Sequence, residues 1–244
     1  MESIRPKVKK PKAVKDKDAD AKKTHKLALK GSSRLVTEFF QYSIHSILFQ
    51  RGVYPAEDFT AVKKYGLNML AYTVSSDDQV KAYIKKIMSQ LDKWMLGGKI
   101  SKLVIVITDK DTCENVERWQ FDVQISNAKP SKLSTNTAQD ENASSASPSA
   151  TGDVEPEPEK TEAEIQAEIA ALFRQITASV TFLPQLQGDC TFNVLVYADA
   201  DSEVPVEWGD SDAKEIENAE RVQLRGFSTS NHRVDTIVSY RYTG

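Results

Sequence analysis

The sequence predicts an α+β domain in which a mainly antiparallel sheet packs against three helices. Three stretches carry apolar residues at intervals of three and four, the period of an amphipathic helix. Between and after them lie about six stretches of strand length that are β-branched or alternate in polarity. The chain has 244 residues, 40% hydrophobic and 27% charged, which suffices for one substantial core. We therefore expect a single large domain with polar extensions.

Residues 161–182 form the most clearly marked helix, around which we expect the core to be built. Thr161 and Glu164 have the spacing of a capping box at its start. Pro184 ends it, because proline cannot continue the helical hydrogen bonds. The apolar residues predicted to face inward are Ile165, Ile169, Leu172, Phe173, Ile176 and Val180.

Arg174, beside Gln175, is a charged residue within this mostly apolar segment. Burial of an unpaired guanidinium group costs several kcal/mol. We therefore expect Arg174 to lie at the rim of the core or on a contact surface.

Residues 1–28 form a basic tail that we expect to be disordered. Residues 1–30 contain eleven Lys or Arg but only four acidic residues. Almost no large apolar residue precedes Leu27, so burial cannot offset the entropy of ordering the chain. A solvated tail, a nuclear targeting signal and a partner-binding arm all fit this composition.

The first helix is predicted between Ser32 and Gly52, which supply a start and a stop signal. His45 lies next to its apolar face without a second ligand candidate nearby, so we interpret it as structural. The apolar face comprises Leu35, Val36, Phe39, Phe40, Ile44, Ile47 and Leu48. Residues 59–70 continue as a shorter amphipathic piece. The second helix is predicted over residues 77–95, before a Gly-Gly pair.

The strands are predicted in two groups. Residues 102–108 and 118–125 read as a hairpin, the first continuously apolar and the second alternating. Residues 190–197 form another buried strand. Residues 221–227 and 233–242 are predicted as the last two strands, joined by a turn.

Two polar segments separate these elements. Residues 127–160 are rich in Ser, Ala, Pro and acidic residues, and we expect a disordered insertion. The second segment, residues 198–220, is acidic and long for a connection within a domain. Its Trp208 fits two interpretations, a loop residue tucked onto the core or a cover over a ligand.

The residues indicate no enzyme. Cys113 and Cys190 are too few for a disulfide framework or a zinc cluster, which favours a reducing compartment. His25, His45 and His232 fall in a tail, a helix and a turn, so no catalytic or metal-binding constellation forms and we expect no metal or cofactor. No apolar run is long enough to span a membrane. The net charge of −3 argues against a general nucleic-acid binder.

Several blocks of the sequence resemble the HORMA-domain proteins of the mitotic spindle assembly checkpoint, the mitotic-arrest-deficient family. The blocks read EFFQYSIHSILFQRGVYPAEDF, QLDKWM, ERWQFDV, FRQITASVTFLPQL and VPVEWGDS. They keep the order and approximate spacing of that family over residues 29–242, so we assign a HORMA domain to residues 29–244. The long basic tail and the long insertion depart from the family pattern.

This resemblance implies a peptide-binding switch. Residues 203–244 would form a mobile segment with two positions, called open and closed. In the closed form the last strands leave one sheet edge, a partner peptide pairs there, and Val204, Pro205 and Trp208 belong to a safety belt around it. The implied edge strand consists of Thr191, Phe192, Asn193, Val194, Leu195, Val196 and Tyr197.

The resemblance also implies a surface on which an open and a closed copy form a dimer. The positions that match it are Arg174, Gln175, Glu117, Phe182 and Arg225. A contact role on this surface would account for a charged residue on the central helix.

The implied partners are the coiled-coil kinetochore receptor of the checkpoint and the activator of the anaphase-promoting complex. Both would be bound through a short motif of a basic residue, apolar residues and proline, and the outcome would be inhibition of that ubiquitin ligase. A hexameric AAA+ ATPase with its adaptor would reopen the closed form. The expected location is the nucleus, kinetochore and cytoplasm. Two alternatives stay open: a HORMA adaptor in DNA repair or meiotic chromosome axes, and nucleic-acid binding through the basic tail.

Overall fold

Three helices cover one face of a six-stranded antiparallel sheet in a computed structural model, which describes residues 17–72, 78–125 and 160–241. The helices are α1 (Lys17–Gln50), α2 (Asp78–Leu96) and α3 (Glu162–Ala178). The strands are β1 (Phe59–Lys64), β2 (Leu67–Tyr72), β3 (Ile100–Asp109), β4 (Asn115–Ile125), β5 (Cys190–Ala198), β6 (Glu220–Gln223), β7 (Phe227–Ser228) and β8 (His232–Tyr240). This confirms the predicted α+β class.

The strand order of the main sheet is β5-β3-β4-β8-β6, and β7 also pairs with β8. Trp119, Phe121 and Val123 of β4 are buried beneath the helices, as their alternation predicts. Phe121 packs edge-to-face against Phe39, which also contacts Phe173, with ring centroids 5.7 Å and 5.4 Å apart. The core therefore lies between the sheet and the three helices.

Helix α1 begins at Lys17, well before the predicted start at Ser32. Part of the segment predicted as disordered tail is therefore helical, whereas residues 1–16 lie outside the described ranges. The added residues include good helix formers such as Ala and Lys and contain no proline. Extending a helix already nucleated by a packed segment costs far less than starting one.

Residues 59–70 belong to the β1–β2 hairpin, so the prediction of a short amphipathic piece continuing from the first helix is corrected. The turn consists of Tyr65 and Gly66, whose φ angles are 52° and 67°. Two consecutive positive φ angles match the type I′ turn, whose twist suits adjacent antiparallel strands. A tyrosine at the first of these positions is unusual, which is why local sequence does not reveal the turn.

The capping box at the start of α3 is confirmed. Thr161 Oγ1 accepts from the Glu164 amide, and the Glu164 carboxylate accepts from the Thr161 amide. The prediction that Val180 faces the core is wrong, because its side chain is 41% exposed. The helix ends at Ala178 and a 3-10 turn follows, which shifts the inward position to Ser179.

His232 begins strand β8 and is buried, although the sequence pattern predicts a turn there. Its Nδ1 lies 2.6 Å from Ser32 Oγ on α1.

The predicted strand over residues 221–227 is divided into β6 and β7. Gly226 lies at the break, and a Cβ atom there would collide with the Val234 carbonyl oxygen. The close approach of residue 226 to strand β8 therefore requires glycine at this point.

His45 is buried in the helical layer, in agreement with a structural role. Burial lowers its pKa to about 4, so the imidazole is neutral at physiological pH. Within the described ranges, no three His, Cys, Asp or Glu residues gather as a metal site would require, and no helix could span a membrane. The predicted insertion at 127–160 lies outside those ranges, apart from Lys160.

Candidate peptide-binding edge and its covering loop

Strand β5 forms one edge of the sheet, and it pairs only with β3 among the described strands. The Asp199 amide donates to the Lys99 carbonyl, and the Lys110 amide donates to the Asp189 carbonyl. Odd-numbered residues of β5 therefore bond towards β3, because backbone groups alternate along a strand. The backbone groups of the even-numbered residues 192, 194, 196 and 198 point away from the sheet, where another strand can pair with them.

The loop that follows β5, residues 199–215, is held at its beginning by two residues outside the strand. Lys99 Nζ lies 2.7 Å from the Asp201 carboxylate, and this bond lowers the pKa of Asp201. Trp94 Nε1 on α2 donates to the Glu203 carbonyl at 3.0 Å. The Trp94 ring also packs edge-to-face against Trp208, with centroids 5.0 Å apart. We call this segment the covering loop.

The far end of the covering loop is held on β4 by a buried arginine. Arg118 Nε donates to the Ala213 carbonyl at 3.2 Å, and its Nη2 lies 3.2 Å from Glu215. Arg118 alternates with Trp119, so it lies on the sheet face opposite the helices. The covering loop therefore crosses that face from β5 to β4 and is fixed at both ends.

A cleft of about 190 Å³ lies between the covering loop and the edge strand. Its walls are residues 194–197 of β5 and residues 208–212 of the loop. Both interpretations given above for Trp208 are compatible with the structure, since its ring packs against Trp94 of α2 and also lines the cleft. Val204 and Val206 are exposed, the latter completely. The structure therefore brings Trp208 beside part of the predicted edge strand, whereas Val204 and Pro205 line a separate cleft with Trp94 and Lys99.

Strand β8 pairs with β4 along nine register positions, from Glu117 opposite Tyr240 to Ile125 opposite His232. It therefore lies across the sheet from β5 and leaves the β5 edge open. Of the two positions that the resemblance implies for the last strands, this one corresponds to the closed form.

Four of the five predicted dimerisation residues have accessible side chains. Arg174 is exposed, and Gln175 beside it accepts a hydrogen bond from the Arg225 amide at 2.7 Å. Phe182 is 40% exposed, although most phenylalanines of the described chain are buried. Its ring contacts Tyr240 at the end of β8, with centroids 6.4 Å apart.

Glu117, the fifth residue, is not at the surface, because only 1% of it is exposed. Its carboxylate lies 2.8 Å from Arg51 Nε and accepts from Trp119 Nε1 at 2.6 Å. Burial raises the pKa of Glu117, while Arg51 and Trp119 act in the opposite direction. Arg51 also donates to the Pro184 carbonyl. The pair joins α1, β4 and the segment after α3 beneath the surface that carries Phe182.

Sequence reasoning missed Trp94 and Arg118 as residues of this site. The helical pattern identifies Trp94 only as part of the apolar stripe of α2. Arg118 carries no such signal, since it falls on the polar side of the alternating strand, between Glu117 and Trp119. Neither contact with the covering loop follows from local sequence.

Comparison with known proteins gives the class first. The HORMA domain model matches residues 32–232, most of the chain. The chain also superposes on C. elegans HTP-1 bound to a HIM-3 closure motif, with a TM-score of 0.63 over 87% of this chain and 91% of that one. At 12% identity this likeness shows the fold alone.

Closer relatives give the branch of the family. The chain is 54% identical to the mitotic spindle checkpoint component mad2 of Schizosaccharomyces pombe, over 88% of this chain and 94% of the relative. It is 40% identical to human mitotic spindle assembly checkpoint protein MAD2A, over 88% and 93%. A chain in the crystal structure of the mitotic checkpoint complex matches with a TM-score of 0.69 and 52% identity, over 87% and 99%. The chain therefore belongs to the HORMA-domain family, in its mitotic spindle checkpoint branch. These relatives are checkpoint components by name.

We expect Glu117→Ala to destabilise the fold by about 3–5 kcal/mol, because it leaves the Arg51 guanidinium buried without its counter-charge. Urea unfolding monitored by tryptophan fluorescence measures this change. The half-buried pair of Lys64 and Glu38 is the control, and Lys64→Ala should cost no more than about 1 kcal/mol. A Glu117→Ala protein of normal stability that fails only to self-associate would instead make Glu117 a contact residue.

Proposed function

We propose that the chain is a two-position peptide-binding switch of the spindle assembly checkpoint. It captures the checkpoint's coiled-coil kinetochore receptor and the activator of the anaphase-promoting complex, and so delays anaphase. The observation that carries this proposal is the open β5 edge, which faces a cleft under a loop fixed at both ends.

Such an edge can bind an extended peptide mainly through main-chain groups, so only some positions of the peptide need a particular side chain. Main-chain groups of a peptide pair with the outward-facing groups of β5, while its side chains enter the cleft beside Trp208. A loop that closes over the ligand acts mainly on the dissociation rate. Removing β8 from β4 and pairing it elsewhere requires many hydrogen bonds to break, so we expect slow exchange between the two positions.

The named partners rest on the family relationship. The structure that shares 52% identity with this chain is that of the mitotic checkpoint complex, which supports checkpoint partners for this chain. Reopening by an AAA+ ATPase with its adaptor, and a location at the kinetochore, in the nucleus and in the cytoplasm, are further parts of the proposal. A role in DNA repair or on meiotic axes is less well supported, because the structures bound to closure motifs share only the fold.

We expect a labelled peptide with the activator's motif to be captured slowly and tightly by the full chain, as followed for hours by fluorescence anisotropy. Deleting residues 235–244 should abolish capture, since it removes most of the strand that pairs with β4. Peptides from repair and meiotic HORMA ligands serve as competitors. Capture of one of those peptides in place of the activator peptide would overturn the proposed checkpoint function.

We expect Arg118→Gln to raise the dissociation rate of the captured peptide by about tenfold or more, because one charge-assisted anchor of the covering loop is lost. Arg221→Gln is a matched control, since Arg221 also approaches Glu215, at 3.7 Å, but is exposed. Its dissociation rate should stay within twofold. Equal rates for both variants and the unaltered chain would show that the anchor does not retain the ligand.

We expect Arg174→Ala to leave folding and peptide capture intact, because Arg174 is exposed and has no ion pair among the described residues. Self-association should be abolished, because Arg174 is one of the positions proposed to form the dimer surface. Sedimentation velocity measures the dimer. Arg34→Ala, a second exposed arginine on the helical layer, is the control and should dimerise normally. A dimer that persists in Arg174→Ala would exclude this surface.

A further inference from the structure

Tyr83 extends from α2 to the open edge of β5. Its ring packs edge-to-face against Phe192, with centroids 5.7 Å apart. Its hydroxyl donates to Asn193 Oδ1 at 2.7 Å. Phe192 is buried on the helical face, whereas the Asn193 side chain starts from the opposite, exposed face. The side chains of Tyr83 and Asn193 therefore meet over the edge of the strand.

The group that Tyr83 and Asn193 cover is the Val194 amide, one of the outward-facing donors of β5. This amide donates to Asn193 Oδ1 at 2.9 Å and approaches the Tyr83 hydroxyl at 3.3 Å. Burial raises the pKa of Tyr83, so the hydroxyl keeps its proton and stays a donor to Asn193. The Val194 amide is thus satisfied without any ligand.

The adjoining part of the edge is different. No described residue bonds to the Val196 amide or carbonyl, or to the Val194 carbonyl. This part also faces residues 208–212 of the covering loop across the cleft. The open edge therefore has a covered end at residues 192–194 and an available end at residues 194–198.

We propose that Tyr83 and Asn193 terminate the strand that a captured peptide forms. The peptide pairs with β5 from the Val194 carbonyl towards Ala198 and does not continue past Val194 to Phe192. This inference rests on the proposed peptide capture and adds the register and length of the ligand strand. The ligand of this edge is a short extended peptide that turns away from the sheet at Val194.

The physical reason is the space that the pair occupies. A neighbouring strand would lie about 4.8 Å away, where the Tyr83 hydroxyl oxygen and Asn193 Oδ1 already accept from the Val194 amide. Helix α2 cannot readily retreat, because Ile84 and Ile87 next to Tyr83 are buried in the core. Displacing the pair would break the 2.7 Å hydrogen bond and separate Tyr83 from Phe192.

A fixed end to the ligand strand has a consequence for specificity. A shift of one residue would turn every ligand side chain to the other face of the sheet. With the end defined at Val194, the same ligand side chains enter the cleft beside Trp208 in every complex. The pair therefore selects the register, while the cleft selects the side chains.

The first test uses the free chain and needs no ligand. Amide hydrogen exchange by NMR should show the Val194 amide exchanging about tenfold more slowly than the Val196 amide. Tyr83→Phe, which keeps the ring, and Asn193→Ala should each reduce this difference. Tyr65→Phe is the control, because its hydroxyl bonds to Glu38 away from the edge. Equal exchange of Val194 and Val196 in the unaltered chain would overturn the inference.

The second test adds the labelled activator-motif peptide to the full chain. The Val196 amide should become protected by at least about tenfold, while the Phe192 and Val194 amides change less than twofold. New protection of Phe192 would show that the ligand strand passes the pair, and would overturn the inference. If no peptide is captured, the proposed function fails, whereas the exchange of the free chain still decides whether Tyr83 and Asn193 cover Val194.

Discussion

The pairing of β8 with β4 is the constraint on which the rest of the molecule depends. A sheet has two edges, and a strand that pairs at one cannot protect the other. With β8 on β4, the β5 edge is left open while the covering loop crosses the face of the sheet between them. The available edge, the cleft and the surface near Tyr240 are therefore consequences of a single pairing.

Contacts with the helical layer fix this arrangement from several directions. Ser32 on α1 bonds to His232 at the start of β8, and Arg51 bonds to Glu117 opposite its end. On the other face, Arg118 holds the loop that leads into the last strands. Most of these contacts join the rigid body of the fold to the segment after residue 203. The stability of this strand arrangement is therefore distributed over both faces of the sheet.

Local sequence predicted those parts of the fold whose signals are local. The capping box at Thr161 and the alternation of β4 need only neighbouring residues, and both were confirmed. The early start of α1 depends on propagation from a packed helix, and the Tyr65–Gly66 turn uses an uncommon residue. The outward turn of Val180 follows from a change of helix type that periodicity does not reveal.

The candidate site was predicted only in part, for a related reason. Its edge strand and belt came from the family resemblance, and of the belt residues only Trp208 lines the cleft beside that strand. Trp94, Arg118 and Tyr83 were missed because each acts on a segment roughly 95 to 110 positions away in the chain. Such contacts exist only after the chain has folded, so no window of sequence contains them.

Gly226 shows how unevenly this chain can tolerate change. The acidic covering loop and the exposed positions of β6 meet mostly water, and many residues could replace those now present. At position 226 even one added methyl group would collide with the Val234 carbonyl oxygen and push the segment between β6 and β7 away from β8. Many substitutions could therefore accumulate in the covering loop, whereas position 226 has to stay glycine for the last strand to keep its place.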